Sequence, residues 1–210
     1  MPDISKFAKT IDSKIPNGPN VILDVGSRDL QQSIQFKERY PKARVIAFEP
    51  NPACIKQCKK NKKKWDIVLM EFAVSDKEGT FDFWSVDVNI GGSSLLEPID
   101  VPGSKGNKWN KIAVSVKRLD TVLAELAITE VDVVWMDVQG VELLALKGMG
   151  DYIHNVKCLH LEASPNPYYK EHILKNELEQ FLTENNFAFK FVEPPKKHKY
   201  GEGDLICVKK

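Results

Sequence analysis

Two acidic side chains early in the chain each stand where a run of apolar residues ends. Asp24 lies in the apolar run 21–25, which Gly26 follows directly, and Glu49 closes the apolar part of the run 44–50. Runs of this kind are typical of buried strands in a parallel sheet. Ligands of open α/β sheets bind at the carboxyl ends of such strands. The two acids therefore predict a ligand site at one edge of a sheet.

This pair of carboxylates suits a ligand that carries a ribose diol and a cationic group. Glu49 can accept hydrogen bonds from both ribose hydroxyls, with Asp24 near the cationic end. Gly26 allows a sharp turn and a close approach between ligand and backbone. The alternative interpretation is that both carboxylates cap helices or bind water.

A third acid and a histidine are candidates for proton transfer. Asp137 lies at the end of the apolar run 131–138. If this strand and the first strand flank the point where strand order reverses, Asp137 and Asp24 lie opposite each other in the crevice at their carboxyl ends. His160 and Glu162 share one side of the run 156–163. We expect Asp137 first and His160 second as the general base. The alternative for His160 is a packed, hydrogen-bonded core residue.

The elements that must position these residues alternate along the chain. Helical patterns cover 30–40, 51–64, 119–126, 141–147 and 176–186, and strand patterns cover 21–25, 44–50, 65–74, 80–86, 111–116, 131–138, 156–163, 187–192 and 205–208. Such alternation predicts a mostly parallel sheet with right-handed crossovers. We expect residues 80–86 to form a hairpin strand added to that sheet, and the last two strands to be antiparallel.

The chain length and charge limit the class of protein. Its 210 residues suffice for one domain with a full core, so we expect a single domain over 1–210 with a lead segment at 1–19. Lys and Arg total 30 against 29 Asp and Glu, a formal net charge of +1. This balance gives no electrostatic reason to expect nucleic acid or an anionic membrane as partner.

No apolar stretch predicts a secretory signal, and none approaches the roughly 20 apolar residues of a membrane helix. The four cysteines are Cys54, Cys58, Cys158 and Cys207, with no His or further Cys at zinc-site spacing. We interpret them as packed residues of a reducing cytosol. These observations predict a cytoplasmic protein without a metal site.

Residues 87–110 are rich in Gly, Ser, Pro and Asn and lack a strong strand or helix pattern. A connection of this length inside a compact domain is usually functional or disordered. We expect it to act as a lid or substrate loop, with disorder as the alternative.

The turn after the first strand excludes one large group of cofactors. It holds the single glycine Gly26 instead of the G-x-G-x-x-G pattern that receives a pyrophosphate. No P-loop is found either. A nucleoside cofactor without phosphates fits better, and S-adenosylmethionine is the common one. A short dehydrogenase is the less favoured alternative.

Six segments, in order, are similar to FkbM-type S-adenosylmethionine-dependent methyltransferases. They are VILDVGS at 21–27, AFEPNP at 47–52, AVSDKEG at 73–79, GGSSL at 91–95, KRLDTVL at 117–123 and MDVQGVE at 136–142. The resemblance implies a Rossmann-like class I methyltransferase fold with a seven-stranded sheet. It also implies methyl transfer to a hydroxyl oxygen of a sugar or other small molecule.

The resemblance implies roles for individual residues. Asp24, Gly26 and Ser27 would line the methionine end of S-adenosylmethionine, Glu49 would bind the ribose, and the third strand would end near the adenine. Asp137 would lie beside the transferring methyl group. The full cofactor set expected is Asp24, Gly26, Ser27, Arg28, Glu49, Pro50, Glu71, Phe72, Ala73 and Asp137.

Three residues depart from the family pattern. Arg28 stands where a small residue is usual, Gln139 where an acid is usual, and Trp135 where a lysine is frequent. Either the cofactor rests higher above the turn or Arg28 binds its carboxylate. A divalent ion held by Asp137 and another acid is an alternative to a general base. A second hypothesis is a binding module that has kept the fold and lost catalysis.

Overall fold

A computed structural model describes residues 3–87, 90–100, 106–193 and 201–210. The helices are α1 (Ser5–Lys14), α2 (Gln31–Arg39), α3 (Pro52–Asn61), α4 (Leu119–Glu125), α5 (Glu142–Lys147) and α6 (Lys175–Glu184). The strands are β1 (Val21–Val25), β2 (Arg44–Phe48), β3 (Ile67–Met70), β4 (Ala73–Val74), β5 (Gly79–Val86), β6 (Trp109–Lys117), β7 (Val133–Met136), β8 (Cys158–Ala163), β9 (Phe187–Val192) and β10 (Gly203–Lys209).

Seven strands form the main sheet in the order β3-β2-β1-β7-β8-β10-β9. The first five of these are parallel to one another, whereas β10 runs antiparallel to both β8 and β9. The predicted α/β fold is confirmed, including the mostly parallel seven-stranded sheet and the antiparallel terminal pair. Strand order reverses between β1 and β7, where ligands bind in open α/β sheets.

The hairpin prediction needs a correction, because β5 is not part of the main sheet. It pairs antiparallel with β6, and β6 pairs with β4 in a separate three-stranded sheet. The predicted third strand, 65–74, is also divided, since β3 ends at Met70 and β4 begins at Ala73. The chain leaves the main sheet at this break and enters the smaller one, which therefore lies beside the strand ends.

Two apolar layers cover the faces of the main sheet. Leu23 and Val25 of β1 point into the larger cluster, with α4, α5 and α6, whereas Ile22 points into the cluster of α1 and α2. This alternation follows from the period of two along a strand. Asp24 consequently shares the face of Ile22, away from Val25.

Local sequence explains where the helices next to the site begin. Asn51 caps α3, because its side-chain oxygen accepts a hydrogen bond from the backbone N–H of Ala53, and Pro52 occupies the first helical position. Leu30 precedes α2 with φ 68°, so the helix begins one residue later than the pattern predicted. The predicted helix 51–64 ends as a 3-10 turn at Lys62–Lys64.

All four cysteines are free and buried. In the part of the chain that the structure describes, we find no helix with the length and apolar character needed to span a bilayer. The predicted loop 87–110 is described at 87, 90–100 and 106–110, and the remainder lies outside the described residues.

Candidate active site

A cavity of about 390 Å³ opens at the carboxyl ends of β1, β2 and β7. Its lining comes from strand tips, from the 90–95 segment and from the start of β10: Val25, Gly26, Arg28, Gln32, Phe48, Glu49, Pro50, Phe72, Ala73, Val74, Phe83, Ile90, Gly91, Gly92, Ser93, Leu95, Trp135, Asp137, Val138, Gln139, Val141, Glu162, Glu202, Gly203 and Asp204. It therefore lies at the reversal of strand order.

The turn after β1 packs directly against the end of β7. Gly26 has φ +85°, and a Cβ atom built there would lie 1.8 Å from the carbonyl oxygen of Asp137. Only glycine combines this backbone conformation with such a close approach. The turn is also held to β2, because the backbone N–H groups of Gly26 and Ser27 both donate to the carbonyl of Phe48 at 3.0 Å.

Glu49 lies at the tip of β2 and is 6% exposed. Its Oε2 accepts from the backbone N–H of Arg28 at 2.8 Å, and its Oε1 accepts from that of Asn51 at 2.7 Å. Burial raises the pKa of Glu49 to about 7, although both hydrogen bonds act in the opposite direction. Each oxygen of the ionised group has a second lone pair, so the carboxylate can accept further hydrogen bonds from a ligand.

Next to Glu49 the cavity wall is apolar. The rings of Phe48 and Phe72 pack edge to face with centroids 5.9 Å apart, and both line the cavity together with Ala73 and Val74. A flat, largely apolar group fits against such a wall. Pro50 also lines the cavity.

A group of carboxylates forms the opposite wall. The side-chain amide of Gln139 donates to Asp137 Oδ1 at 2.7 Å and also to Glu162 Oε2. Asp137, Glu162 and Glu202 lie close enough together to influence one another's ionisation. Burial is the main cause that raises the pKa values of Asp137 and Glu162, and for Glu162 the nearby negative charges add to it.

Glu142 holds the loop between β7 and α5 by hydrogen bonds to its backbone. Its Oε1 accepts from the backbone N–H of Val138 at 3.0 Å, and its Oε2 accepts from that of Gly140 at 3.1 Å. The side chain is buried, which raises its pKa to about 7. Asp137 and Gln139 therefore lie on a loop whose backbone is held on both sides.

The 90–95 segment closes the carboxylate side of the cavity. Ser94 pairs with Trp84 of β5 in both directions, and its hydroxyl donates to the carbonyl of Gln139 at 2.7 Å. The hydroxyl of Tyr169 lies 2.7 Å from the carbonyl oxygen of Gly92 and 3.0 Å from Oε1 of Gln139. The predicted substrate loop thus contacts the acidic wall through Gln139.

Four of the residues predicted from the sequence do not line this cavity. Asp24 is fully buried against α2, where Oδ2 accepts hydrogen bonds from the backbone N–H and the hydroxyl of Ser33, while Oδ1 has no partner among the described residues. Ser27 is buried below the turn. Glu71 points outward and forms an ion pair with Lys59 at 2.7 Å.

His160 also lies outside the lining and is buried. Its ring stacks on Trp135 with centroids 3.6 Å apart and an interplanar angle of 5°. Phe7 packs edge-on at 5.5 Å. Within the described part of the chain, His160 Nδ1 has no hydrogen-bond partner, and Nε2 lies 3.6 Å from Oδ1 of Asp204. His160 thus packs against aromatic rings next to the acidic side of the cavity, which includes Asp204.

Three residues of the site were not predicted in their observed roles. Glu202 precedes β10 and reaches the carboxylates from a different strand, and no local pattern marked it. Tyr169 belongs to an aromatic pair in the polar segment after β8, which was the only available signal. The sequence shows Gln139 as a departure from the family pattern, but it does not predict the contacts of Gln139 with two acids.

Among the described residues, no group of three or more His, Cys, Asp or Glu side chains is arranged to hold a metal ion.

The comparisons with known proteins agree with this geometry. The chain is 29% identical over 178 residues to the 2-O-methyltransferase NoeI of Sinorhizobium fredii, which covers 79% of this chain and 72% of the relative. It is 26% identical over 170 residues to the methyltransferase sdnD of Sordaria araneosa, covering 66% of this chain and 63% of that one.

Among solved structures, the fold is similar to magnesium protoporphyrin IX methyltransferase from Synechocystis, crystallised with bound S-adenosylmethionine. The TM-score is 0.54 at 11% identity, with 98% of this chain and 79% of the other covered. The class I methyltransferase fold is thereby confirmed. The model of the methyltransferase FkbM domain matches residues 24–189. Because that match covers most of the chain, the protein belongs to the FkbM methyltransferase family.

Proposed function

We propose that this protein transfers the methyl group of S-adenosylmethionine to a hydroxyl oxygen of a small polyhydroxylated molecule. The observation that carries this proposal is the cavity at the reversal of strand order. One side of it holds the buried carboxylate of Glu49 and an apolar wall, and another side holds several carboxylates, including Asp137 and Glu162. Family membership and the similarity to a 2-O-methyltransferase support the reaction type.

The donor set on the β2 side suits the nucleoside part of the cofactor. Glu49 has acceptor capacity for the two ribose hydroxyls, and the Phe48 and Phe72 rings with Ala73 offer an apolar surface for the adenine. Arg28 lines the same cavity and would pair with the cofactor carboxylate. Asp24 and Ser27 would act through the backbone of the turn, since neither side chain lines the cavity.

The carboxylate wall would bind the acceptor. S-Adenosylmethionine supplies a methyl group on a sulfonium, which is already a strong electrophile. The protein therefore has mainly to align the acceptor oxygen and to remove its proton. Asp137 is the proposed general base, because it is buried in the cavity wall and its raised pKa brings it closer to working pH. The 90–95 segment would exclude water from this side.

The acceptor itself is proposed only as a class. Hydroxyl groups of a sugar or similar polyol are donors that suit a wall rich in carboxylate acceptors. Four free buried cysteines are typical of a reducing compartment, so we place the reaction in the cytosol.

Two measurements test the proposal. Calorimetry should detect binding of S-adenosylhomocysteine, and a panel of sugars and small alcohols should accept labelled methyl from S-adenosylmethionine. Asp137→Asn should lower kcat by about 10²- to 10⁴-fold while S-adenosylhomocysteine still binds. Lack of binding at millimolar ligand would contradict the proposal. Binding without transfer to any member of the panel would favour a module that has lost catalysis.

A further inference from the structure

Gln139 lies between the carboxylates of the acidic wall, and both the nitrogen and the oxygen of its side-chain amide form hydrogen bonds. Its two N–H bonds point at two different carboxylates, Asp137 and Glu162, and its oxygen lies 3.0 Å from the hydroxyl of Tyr169. The reverse orientation would place an amide oxygen against two carboxylate oxygens. Only a side chain with two donors on one atom satisfies both acids at once.

The backbone of Gln139 is held in an uncommon conformation. Its φ is +55°, in the left-handed region that costs a non-glycine residue about 1 kcal/mol or more. The hydroxyl of Ser94 donates to its carbonyl at 2.7 Å, and Gly140 follows with φ +97°. A strained backbone conformation persists where surrounding contacts stabilise it. Here the stabilising contact comes from Ser94 in the 90–95 segment.

The same residue therefore joins two parts of the site that come from distant segments. Asp137 and Glu162 lie at the ends of β7 and β8, whereas Gly92 and Ser94 belong to the 90–95 segment. Tyr169 reaches both the Gly92 carbonyl and the Gln139 amide. Displacement of this segment would remove the Ser94 contact with the Gln139 carbonyl and the Gly92 contact of Tyr169, whose hydroxyl also contacts the Gln139 amide.

We propose that Gln139 is a positioning residue, which holds Asp137 and Glu162 at a fixed spacing and connects them to the 90–95 segment. This inference rests on the proposed function for its catalytic meaning, since Asp137 is the base named there. An acid at this position would add another negative charge beside Asp137 and Glu162 and would remove both donors.

The ionisation of Asp137 depends on the groups that face it. These are Glu162 and His160 on β8, Glu142 on α5, Glu202 before β10, and the more distant Asp24 and Glu49. The interaction with Glu162 favours the ionised form. Burial, the largest cause, and the negative charge of Glu202 raise the Asp137 pKa and oppose its ionisation. The Gln139 amide opposes this effect, because it donates to the ionised carboxylate and lowers the Asp137 pKa.

The direct test is a carbon-13 carboxyl NMR titration of the full chain, with Asp137→Asn and Glu162→Gln used to assign the signals. Gln139→Glu keeps the size of the side chain, and Gln139→Met keeps its length without any donor. We expect both to raise the Asp137 titration midpoint, Gln139→Glu by about one pH unit or more. Gln180→Glu is the matched control, since Gln180 is exposed and its side-chain amide donates to Glu184 in its own helix. It should leave that midpoint unchanged.

An unchanged midpoint in both Gln139 variants would overturn the inference, whether or not an acceptor is known. The second readout is the pH profile of kcat, whose acid limb should move upward with the midpoint in Gln139→Glu. A wild-type protein that binds no S-adenosylhomocysteine would contradict the proposed function, while the titration would still decide the role of Gln139. If circular dichroism shows that either Gln139→Glu or Gln139→Met does not fold, the titration is measured on the other variant.

Discussion

The carboxylate of Glu49 accepts a hydrogen bond from the backbone N–H of Arg28 at 2.8 Å, and so joins the tip of β2 to the turn that follows β1. The second oxygen accepts from Asn51, at the start of α3. One buried side chain therefore fixes the spacing of two strand tips and the entry of a helix. The same carboxylate lines the cavity, where we propose that it binds the ribose of the cofactor.

Replacing Glu49 with Gln should weaken S-adenosylhomocysteine binding by about tenfold or more. The amide nitrogen of the variant would face one of the two backbone N–H groups, leaving a buried donor without an acceptor, which costs about 1–3 kcal/mol. Calorimetry measures the affinity, and urea unfolding measures the stability. Glu71→Gln is the control, because Glu71 follows the neighbouring strand tip but faces solvent beside Lys59. Equal affinities for both variants would contradict the role given to Glu49.

Binding of S-adenosylhomocysteine should tighten as pH rises. The pKa of unliganded Glu49 is raised to about 7, so the group is mostly protonated at pH 6 and mostly ionised at pH 8. Ribose hydroxyls donate hydrogen bonds and therefore prefer the ionised form. We expect about tenfold tighter binding at pH 8 than at pH 6. In Glu49→Gln this part of the pH dependence should be lost, and its persistence would assign it to another group.

Gly26→Ala should disrupt the site far more than its backbone conformation alone explains. A Cβ there would lie 1.8 Å from the Asp137 carbonyl oxygen, so β1 and β7 must separate at their tips. Gly106→Ala is the matched control, since Gly106 has φ +93° and no atom of the described residues lies within 4 Å of the added Cβ. We expect the control to cost about 1 kcal/mol and Gly26→Ala several-fold more, measured by urea unfolding. Equal costs would mean that the turn relaxes freely.

Asp24 should make the protein more stable at pH 5 than at pH 8. Burial raises its folded-state pKa from 3.8 to about 7, so the folded state keeps a proton that the unfolded chain releases. That stabilising contribution is complete below the unfolded value and is lost as pH rises through about 7. Its partnerless Oδ1 is consistent with the protonated form. Asp24→Asn should reduce the stability difference between pH 5 and pH 8 by an amount on the order of a few kcal/mol, and an unchanged difference would exclude Asp24 as its source.

The acceptor should be uncharged or cationic rather than anionic. Asp137, Glu162, Glu202 and Asp204 line one side of the cavity, and Arg28 is the only basic side chain among the described residues of the lining. A phosphate or carboxylate placed at the acidic side would meet like charges. Competition assays with a sugar and its phosphate ester should show the neutral compound as the better acceptor or inhibitor. Preference for the phosphate ester would contradict the assignment of this wall.

The sequence was sufficient to predict the sheet because each buried strand is a short apolar run. It also identified Asp24, Glu49 and Asp137 as strand-end acids. The direction in which each side chain points was predicted less well. Because side chains alternate along a strand, Asp24 points to the face of the sheet opposite Val25, although both lie near the tip of β1. The break in the run 65–74 was missed because Phe72 is apolar and continues the pattern. Glu202, Tyr169 and the bridging contacts of Gln139 depend on tertiary contacts between distant segments, which no local pattern encodes.

The position of β10 between β8 and β9 has a consequence for how the protein is made. β9 leaves the ribosome before β10 and has no strand of its own sheet to pair with until β10 emerges. An unpaired apolar edge of this kind is a site for wrong association during synthesis. Glu202, Gly203 and Asp204 arrive with the same strand. A nascent chain stalled before β10 should consequently bind chaperones and lack one side of the pocket.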